Sequence, residues 1–110
     1  MEKQESQIEK YFTRQFKKYF KSEKEGLLLK QFSASYTGMP DRDVIVKNLP
    51  IIKVELKRPS GNLSPRQRYV HRILRSLGVE VHTFDSKEEV DEFLKDLHND
   101  YLMKMRTRKY

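Results

Sequence analysis

The sequence predicts an α/β fold in which flanking helices cover a mixed central sheet. Apolar residues recur at helical spacing near the N-terminus, from Ile8 through Phe12 to Phe16. Residues 51–57 instead alternate between apolar and charged side chains, which is the period of a strand with one buried face. Ser64, which a proline follows, is typical of a helix start. The expected order is helix, three-stranded antiparallel sheet, helix, strand and helix.

The bounds of these elements follow from turn residues and helix caps. The first helix is predicted over a segment that contains neither glycine nor proline, and Gly78 ends the second. Val90, Phe93, Leu94 and Leu97 give the third helix its apolar face. The expected helices cover residues 5–21, residues 64–77 and a segment from Asp85 or Ser86 to about residue 98, and the expected strands cover residues 27–32, 42–46, 51–57 and 79–84.

The length and the tail bear on the domain organisation. We expect residues 1–110 to form one domain, because a single core usually organises roughly 100 to 150 residues. Residues 98–110 form a basic C-terminal tail. A frayed helix end is the favoured interpretation of this tail, and an arm that grips phosphate is the alternative.

The composition restricts the partners and the metal chemistry. Twenty-three Lys and Arg against sixteen Asp and Glu give a net charge of +7, which favours a polyanion such as DNA, although a solubilising surface explains the charge equally well. The absence of cysteine leaves only oxygen or imidazole ligands, so Mg2+ or Mn2+ is the natural metal. No apolar run approaches the roughly 20 residues that cross a bilayer, and we expect an intracellular, cytoplasmic protein without a membrane partner.

Three residues carry the chemistry of the predicted site. Asp41 begins the second strand after a Gly-Met-Pro turn, and Glu55 and Lys57 project from one face of the third strand. If these strands are antiparallel neighbours, the two carboxylates and the ammonium converge. Two close carboxylates repel each other unless a cation lies between them, which predicts a divalent metal with the backbone carbonyl of Leu56 as a further ligand. A Glu-x-Lys pair alone is more often a solvated face with an ion pair across the strands.

The motifs around these residues resemble a known family. Residues 37–41 (TGMPD), 54–61 (VELKRPSG) and 63–67 (LSPRQ) are similar to the VRR-NUC branch of the PD-(D/E)XK nucleases, especially its short stand-alone members from phages and bacteria. The resemblance covers about residues 5–94. It implies a restriction-endonuclease-like core, Asp41 and Glu55 as metal ligands, and Lys57 as the catalytic lysine.

The resemblance implies two further site residues, an acid on the first helix and a glutamine on the second. These fall on Glu9 and Gln67. Glu9 lies seven residues before Phe16 and so points inward, where Lys57 or a metal, directly or through water, would be its partner. Glu5 is the alternative if the register is shifted. The Gln67 amide is expected to bond the catalytic lysine or a DNA phosphate.

Contacts to DNA are expected from a cluster of cations around the site. Ser60 and Gly61, with Asn62 after them, offer backbone amides that could meet a phosphate. We expect the group rather than each member to matter, because any single cation is explained by solvation alone. The predicted basic contacts are Arg42, Lys53, Arg58, Arg66 and Arg68. His71, His82 and His98 lack metal-ligand spacing, which is typical of surface or half-buried neutral histidines.

The leading hypothesis is a metal-dependent DNA endonuclease. The resemblance further implies a structure-specific enzyme, similar to Holliday junction resolvases, that acts on branched DNA as a homodimer, since two symmetric strands need two sites related by a two-fold axis. The alternatives are a non-catalytic DNA-binding module with a nuclease-like fold and a metallohydrolase of small phosphates. The basic surface disfavours the last of these.

Overall fold

Seven elements follow one another in the predicted order in the computed structural model, which describes residues 6–31 and 35–107. No helix in those two ranges is both long and apolar enough to cross a membrane. Glu5 and Phe32, which the sequence places in the first helix and the first strand, lie outside the described residues. The elements are α1 (Gln7–Tyr19), β1 (Gly26–Lys30), β2 (Arg42–Val46), β3 (Ile52–Leu56), α2 (Pro65–Ser76), β4 (Val81–Phe84) and α3 (Lys87–Thr107).

The strands form one mixed sheet in the order β1-β2-β3-β4. The β1–β2 and β2–β3 pairs are antiparallel, and the β3–β4 pair is parallel. A parallel pair cannot be joined by a tight turn, so the chain crosses over between these strands, and α2 is the crossover helix. This arrangement confirms the predicted fold class, with a mixed sheet and flanking helices.

The two faces of the sheet have different characters. Phe12 of α1 and Leu94 of α3 pack with Val44 and Val54 in the main hydrophobic core. Successive residues of a strand point to opposite faces, so Glu55, which follows Val54, points to the face away from this core. A side chain of α2 reaches Glu55, which places α2 over that polar face. The core face stabilises the fold, and the polar face is left for the site.

The prediction that the chain frays beyond His98 is wrong, because α3 continues to Thr107. Tyr101 lies four residues after Leu97 and extends the apolar stripe of the helix. Its ring packs edge-on against Phe20 at 5.7 Å between centroids, and its hydroxyl donates to the Glu25 carboxylate at 3.5 Å. Tertiary packing therefore holds the basic C-terminal segment as helix, and residues 108–110 lie outside the described part of the chain.

Replacing Tyr101 with alanine should lower the free energy of unfolding by about 3 kcal/mol, because the substitution leaves a cavity in a buried site. The matched control is Leu102→Ala, since Leu102 is 44% exposed whereas Tyr101 is 7% exposed. Its effect should stay within about 0.5 kcal/mol, as is usual for surface positions. Urea unfolding followed by circular dichroism measures both values. Equal effects of the two substitutions would contradict the packing role of Tyr101.

Candidate active site

The register of β2 against β3 brings Asp41 next to Glu55. Arg42 pairs with Val54 in this antiparallel ladder, so the residue before Arg42 lies opposite the residue after Val54. Asp41 also continues the β1–β2 pairing, because its carbonyl accepts the backbone N–H of Gln31 at 2.7 Å. The two carboxylates that the sequence singles out therefore stand on adjacent strands at the same end of the sheet.

Burial raises the pKa values of both carboxyl groups, and repulsion adds to the shift, from Asp41 at Glu55 and from Glu9 at Asp41. Glu55 is 6% exposed. Its burial, and next the charge of Asp41, raise its pKa from 4.5 to about 7, against the opposing charges of Lys57 and Arg42. The pKa of Asp41 is also raised, chiefly by burial, while Arg42 opposes the shift. A cation between the two carboxyl groups would favour their ionised forms.

Lys57 completes the predicted trio. It follows Glu55 by two positions, so both side chains project from the same face of the chain. Its backbone N–H donates to the Phe84 carbonyl at 2.8 Å, which continues the β3–β4 pairing by one residue and fixes the start of its side chain. The positive charge of Lys57 lowers the pKa of Glu55 and so opposes the effect of burial.

Glu9 reaches the site through Arg42, which corrects the expected partner. Its carboxylate accepts from the Arg42 guanidinium at 2.7 Å and lies 3.8 Å from the Lys30 ammonium. The same guanidinium lies 3.4 Å from the Asp41 carboxylate. Glu9 thus neutralises a buried cation and is neither bonded to Lys57 nor placed as a direct metal ligand. Its inward orientation was predicted from helical spacing, but its partner was not.

Arg42 is not available to DNA, so this predicted contact is wrong. The residue is 2% exposed. It shares a strand face with Val44 and Val46, which belong to the main core, and its guanidinium is therefore enclosed beneath α1. A buried guanidinium needs carboxylate partners, and Glu9 and Asp41 supply them.

Gln67 contacts Glu55 and not the expected lysine, and its expected contact with a DNA phosphate stays a prediction. Its amide nitrogen donates to a Glu55 carboxylate oxygen at 3.5 Å. The amide oxygen accepts from the Ser64 backbone N–H at 2.9 Å, and the Ser64 hydroxyl accepts from the Gln67 backbone N–H at 3.1 Å. This capping box fixes the side chain at the start of α2. Gln67 therefore links the helix cap to one carboxylate of the site.

Some of the predicted DNA contacts already have a partner within the protein, and the others are exposed. Lys53 lies 2.6 Å from the Asp43 carboxylate, and the Gly61 N–H donates to the Arg58 carbonyl at 2.7 Å. The Gly61 amide is therefore engaged in a turn and is not offered to a phosphate, which corrects that expectation. Ser60 has a left-handed backbone, with φ at 63°, in the same turn. Arg58, Arg66 and Arg68 are exposed, as is Ser60.

His71 is a residue of this region whose environment was predicted wrongly. It is fully buried, with 0% exposure, and neither ring nitrogen has a hydrogen-bond partner among the described residues. Burial lowers its pKa, and the positive charges of Arg75 and Lys57 lower it further, which keeps the ring neutral. The sequence signal was its position one helical turn after Gln67, which puts both on the face of α2 that meets the sheet.

The donors at the site fit a hard cation only in part. Within the described part of the chain, no group of three or more His, Cys, Asp or Glu side chains could hold a metal ion. One oxygen of Asp41 is buried without a hydrogen-bond partner in the same part, and the pKa of the Glu55 carboxyl on the adjacent strand is raised. Mg2+ usually binds proteins through one or two carboxylates and keeps several waters. Two side-chain ligands, with the Leu56 carbonyl between Glu55 and Lys57, are compatible with this mode.

The order of elements and the Asp opposite a Glu-x-Lys strand are those of a nuclease-like domain with a PD-(D/E)XK-like fold. Among solved structures, the chain is similar to one described as a VRR_NUC domain, at 27% identity and a TM-score of 0.69 over 80% of this chain and 90% of that one. The predicted fold and the resemblance to the VRR-NUC family are thus confirmed. No family model matches the chain, and no curated protein sequence does.

The raised pKa of Glu55 predicts a pH-dependent stability in metal-free buffer. Its folded-state pKa of about 7 lies above the ordinary value of 4.5. The folded state keeps a proton that the unfolded chain has released, so the contribution of Glu55 to the free energy of unfolding should fall by about 3 kcal/mol as the pH rises from about 4 to 8. In Glu55→Gln this contribution should be missing, while those of Asp41 and His71, whose pKa values are also shifted, remain.

Urea unfolding at several pH values in chelator, with the exposed Glu92→Gln as control, measures the difference in slope. The control should retain the decrease of the unmodified protein. Parallel curves for the unmodified protein and Glu55→Gln would show that Glu55 titrates normally.

Proposed function

We propose that this chain is a divalent-metal-dependent DNA endonuclease that hydrolyses phosphodiester bonds, with Asp41, Glu55 and Lys57 at its centre. One observation carries the proposal. Two carboxyl groups with raised pKa values stand on adjacent strands beside an ammonium group. Arg42 already pairs with Asp41, but one Asp41 oxygen still lies buried without a hydrogen-bond partner among the described residues. A cation bound between Asp41 and Glu55 would satisfy this oxygen and offset the repulsion that raises the pKa of Glu55.

The residues of the site have different roles in the proposed cleavage. A bound Mg2+ or Mn2+ ion would supply Lewis acidity toward water and the phosphoryl oxygen. Asp41, Glu55 and the Leu56 carbonyl would hold it. The Lys57 ammonium would orient the attacking water or neutralise charge that develops on the phosphate. Gln67 acts as a positioning residue, because it holds Glu55 from a fixed helix cap.

Arg42 and Glu9 support the site indirectly in this proposal, through the position of Asp41. The Arg42 guanidinium bridges the Glu9 and Asp41 carboxylates. Because the guanidinium is buried, its position is fixed, and it orients the Asp41 carboxylate toward the site while the other oxygen stays without a protein partner. Glu9 is thereby a supporting residue of the centre, whether or not a water links it to the metal.

The exposed cations support DNA as the substrate. Arg58, Arg66 and Arg68 are exposed in the loop after β3 and in the first turns of α2, which also contain Gln67. Cations at these positions meet the phosphates that flank a scissile bond, and phosphate contacts release counterions on binding. Lys53, half-buried in its pair with Asp43, is a weaker contact in this proposal.

Lys57→Ala and Asp41→Asn should each reduce DNA cleavage by about 100-fold or more, since each removes a group that acts on the transition state. Lys47→Ala is the matched control, because this exposed lysine lies just beyond the far end of β2 from Asp41. A cleavage assay in Mn2+, repeated with chelator, gives the rates. Cleavage that persists in chelator or in Lys57→Ala would overturn the proposal.

The second candidate is a non-catalytic DNA-binding module. It is favoured by the absence, in the described residues, of a group of three side-chain ligands. In that case Mn2+ would not raise the melting temperature of the unmodified protein, and DNA would be bound but not cleaved. A nuclease should instead show a Mn2+-dependent increase that Asp41→Asn abolishes.

The finer part of the proposal is that the enzyme acts as a homodimer on branched DNA, in the manner of a Holliday junction resolvase. The resemblance to VRR-NUC domains and the two-fold symmetry of a junction support it. Cleavage of four-way junctions, flaps and plain duplex, together with sedimentation of the protein, tests it. A preference for duplex or a monomer on the junction would remove this finer part and leave the endonuclease in place.

A further inference from the structure

Two exposed aromatic rings and one arginine meet beside the candidate active site. The Arg66 guanidinium carbon lies 4.8 Å from the centroid of the Tyr36 ring and 5.6 Å from that of the Tyr69 ring. Tyr36 is 44% exposed and Tyr69 is 48% exposed. Single exposed tyrosines are ordinary on a protein surface, but two that flank the same cation form an aromatic and basic surface. We name these three residues the Tyr-Arg-Tyr platform.

The platform is held in place by backbone contacts. Arg66 donates through Nε to the Thr37 carbonyl at 3.1 Å, which ties α2 to the loop that carries Tyr36. At Gly38 the loop approaches α2 so closely that a Cβ would come within 2.9 Å of the Val70 side chain. Gly38 also has a φ of 91°, which side chains disfavour. The loop and the helix therefore present the rings in a fixed arrangement.

A cavity of about 600 Å³ lies between Tyr36 of the platform and Asp41 of the candidate site. Pro40, Asp43 and Lys53 are among its other lining residues. One wall thus carries an aromatic ring, and another carries a carboxylate of the proposed metal site. A nucleotide whose base lies against Tyr36 would have its backbone within the reach of Asp41, with the Lys53 ammonium on the same side.

We propose that the Tyr-Arg-Tyr platform binds an unpaired base of single-stranded DNA next to the scissile phosphate. The inference rests on the proposed nuclease function and names the substrate feature that the site selects. Phosphate contacts alone would require cations but no rings. Bases inside a duplex have both faces covered by their neighbours, so only an unpaired nucleotide can stack on exposed tyrosines. The site therefore favours DNA that exposes an unpaired nucleotide beside the cleaved bond, whether at a branch point or at the end of a duplex.

The first test measures DNA binding in chelator, where no cleavage occurs. Fluorescence anisotropy gives the affinity for a single strand of about 12 nucleotides, a length within the usual range of such sites, and for a duplex of equal length at one salt concentration. Tyr36→Leu with Tyr69→Leu should weaken single-strand binding by about tenfold or more, which is a typical loss for a stacked base. Duplex binding should change by less than about twofold, because its phosphate contacts remain.

The matched controls separate the rings from folding and from the hydroxyl groups. Tyr36→Phe with Tyr69→Phe keeps both rings and should retain single-strand affinity. Thermal unfolding verifies that the leucine variant is folded, and if it is not, the two single leucine variants replace it. A strand with 2-aminopurine as its base probe should lose fluorescence on binding to the unmodified protein and to the phenylalanine variant, because stacking quenches it.

Three outcomes would overturn the platform: equal loss of single-strand and duplex affinity in folded leucine variants, no loss of either, or loss of affinity in the phenylalanine variant. The proposed nuclease function fails separately, if the unmodified protein binds single strands through the rings and yet cleaves no DNA in Mg2+ or Mn2+. Cleavage that depends on Lys57 but is indifferent to both leucine substitutions would retain the nuclease and remove the platform.

Discussion

The antiparallel register between β2 and β3 is the constraint on which the site depends. It places Asp41 opposite Glu55, and a slip of one residue would turn every side chain of one strand to the other face. Val44 and Val54 fix this register, because both must enter the hydrophobic core on the opposite face. Apolar packing thereby holds two carboxylates together that repel each other. Because this arrangement raises the pKa of Glu55, ionisation of Glu55 lowers the free energy of unfolding when no metal is bound.

Arg42 reduces the electrostatic repulsion at the site, but the pKa values of Asp41 and Glu55 remain raised. As a buried guanidinium it attracts the Asp41 and Glu9 carboxylates, and it lowers the pKa of both carboxyl groups of the site below what burial alone would give. A buried cation without carboxylate partners would itself destabilise the fold. Even with Arg42 in place, one Asp41 oxygen is buried without a hydrogen-bond partner among the described residues, and the pKa of Glu55 stays raised. In the proposed enzyme, these are the two groups that a divalent ion would satisfy.

Local signals in the sequence were enough to predict the order of the elements and the proximity of Asp41 to Glu55. Strand alternation, the Ser64 cap and the short turn between β2 and β3 act over a few residues, so they can be recognised without the fold. The end of α3 could not be predicted in this way, because Tyr101 is held by Phe20 and Glu25, which lie more than seventy residues away in the chain. The partner of Glu9 was missed for the same reason. An arginine at the start of a strand looks exposed until α1 is known to cover it.

The parallel pairing of β4 decides which side chains surround the centre. A parallel strand requires a crossover, and the core face is already covered by α1 and α3, so α2 has to cross the face that carries Glu55. The first turns of α2 then bring Gln67 to a carboxylate and Arg66 to the loop before Asp41. The crossover of α2 thus places both the amide that contacts Glu55 and the arginine of the Tyr-Arg-Tyr platform. In the proposed enzyme, substrate recognition and catalysis therefore depend on the same helix, and a change in the packing of α2 would affect both.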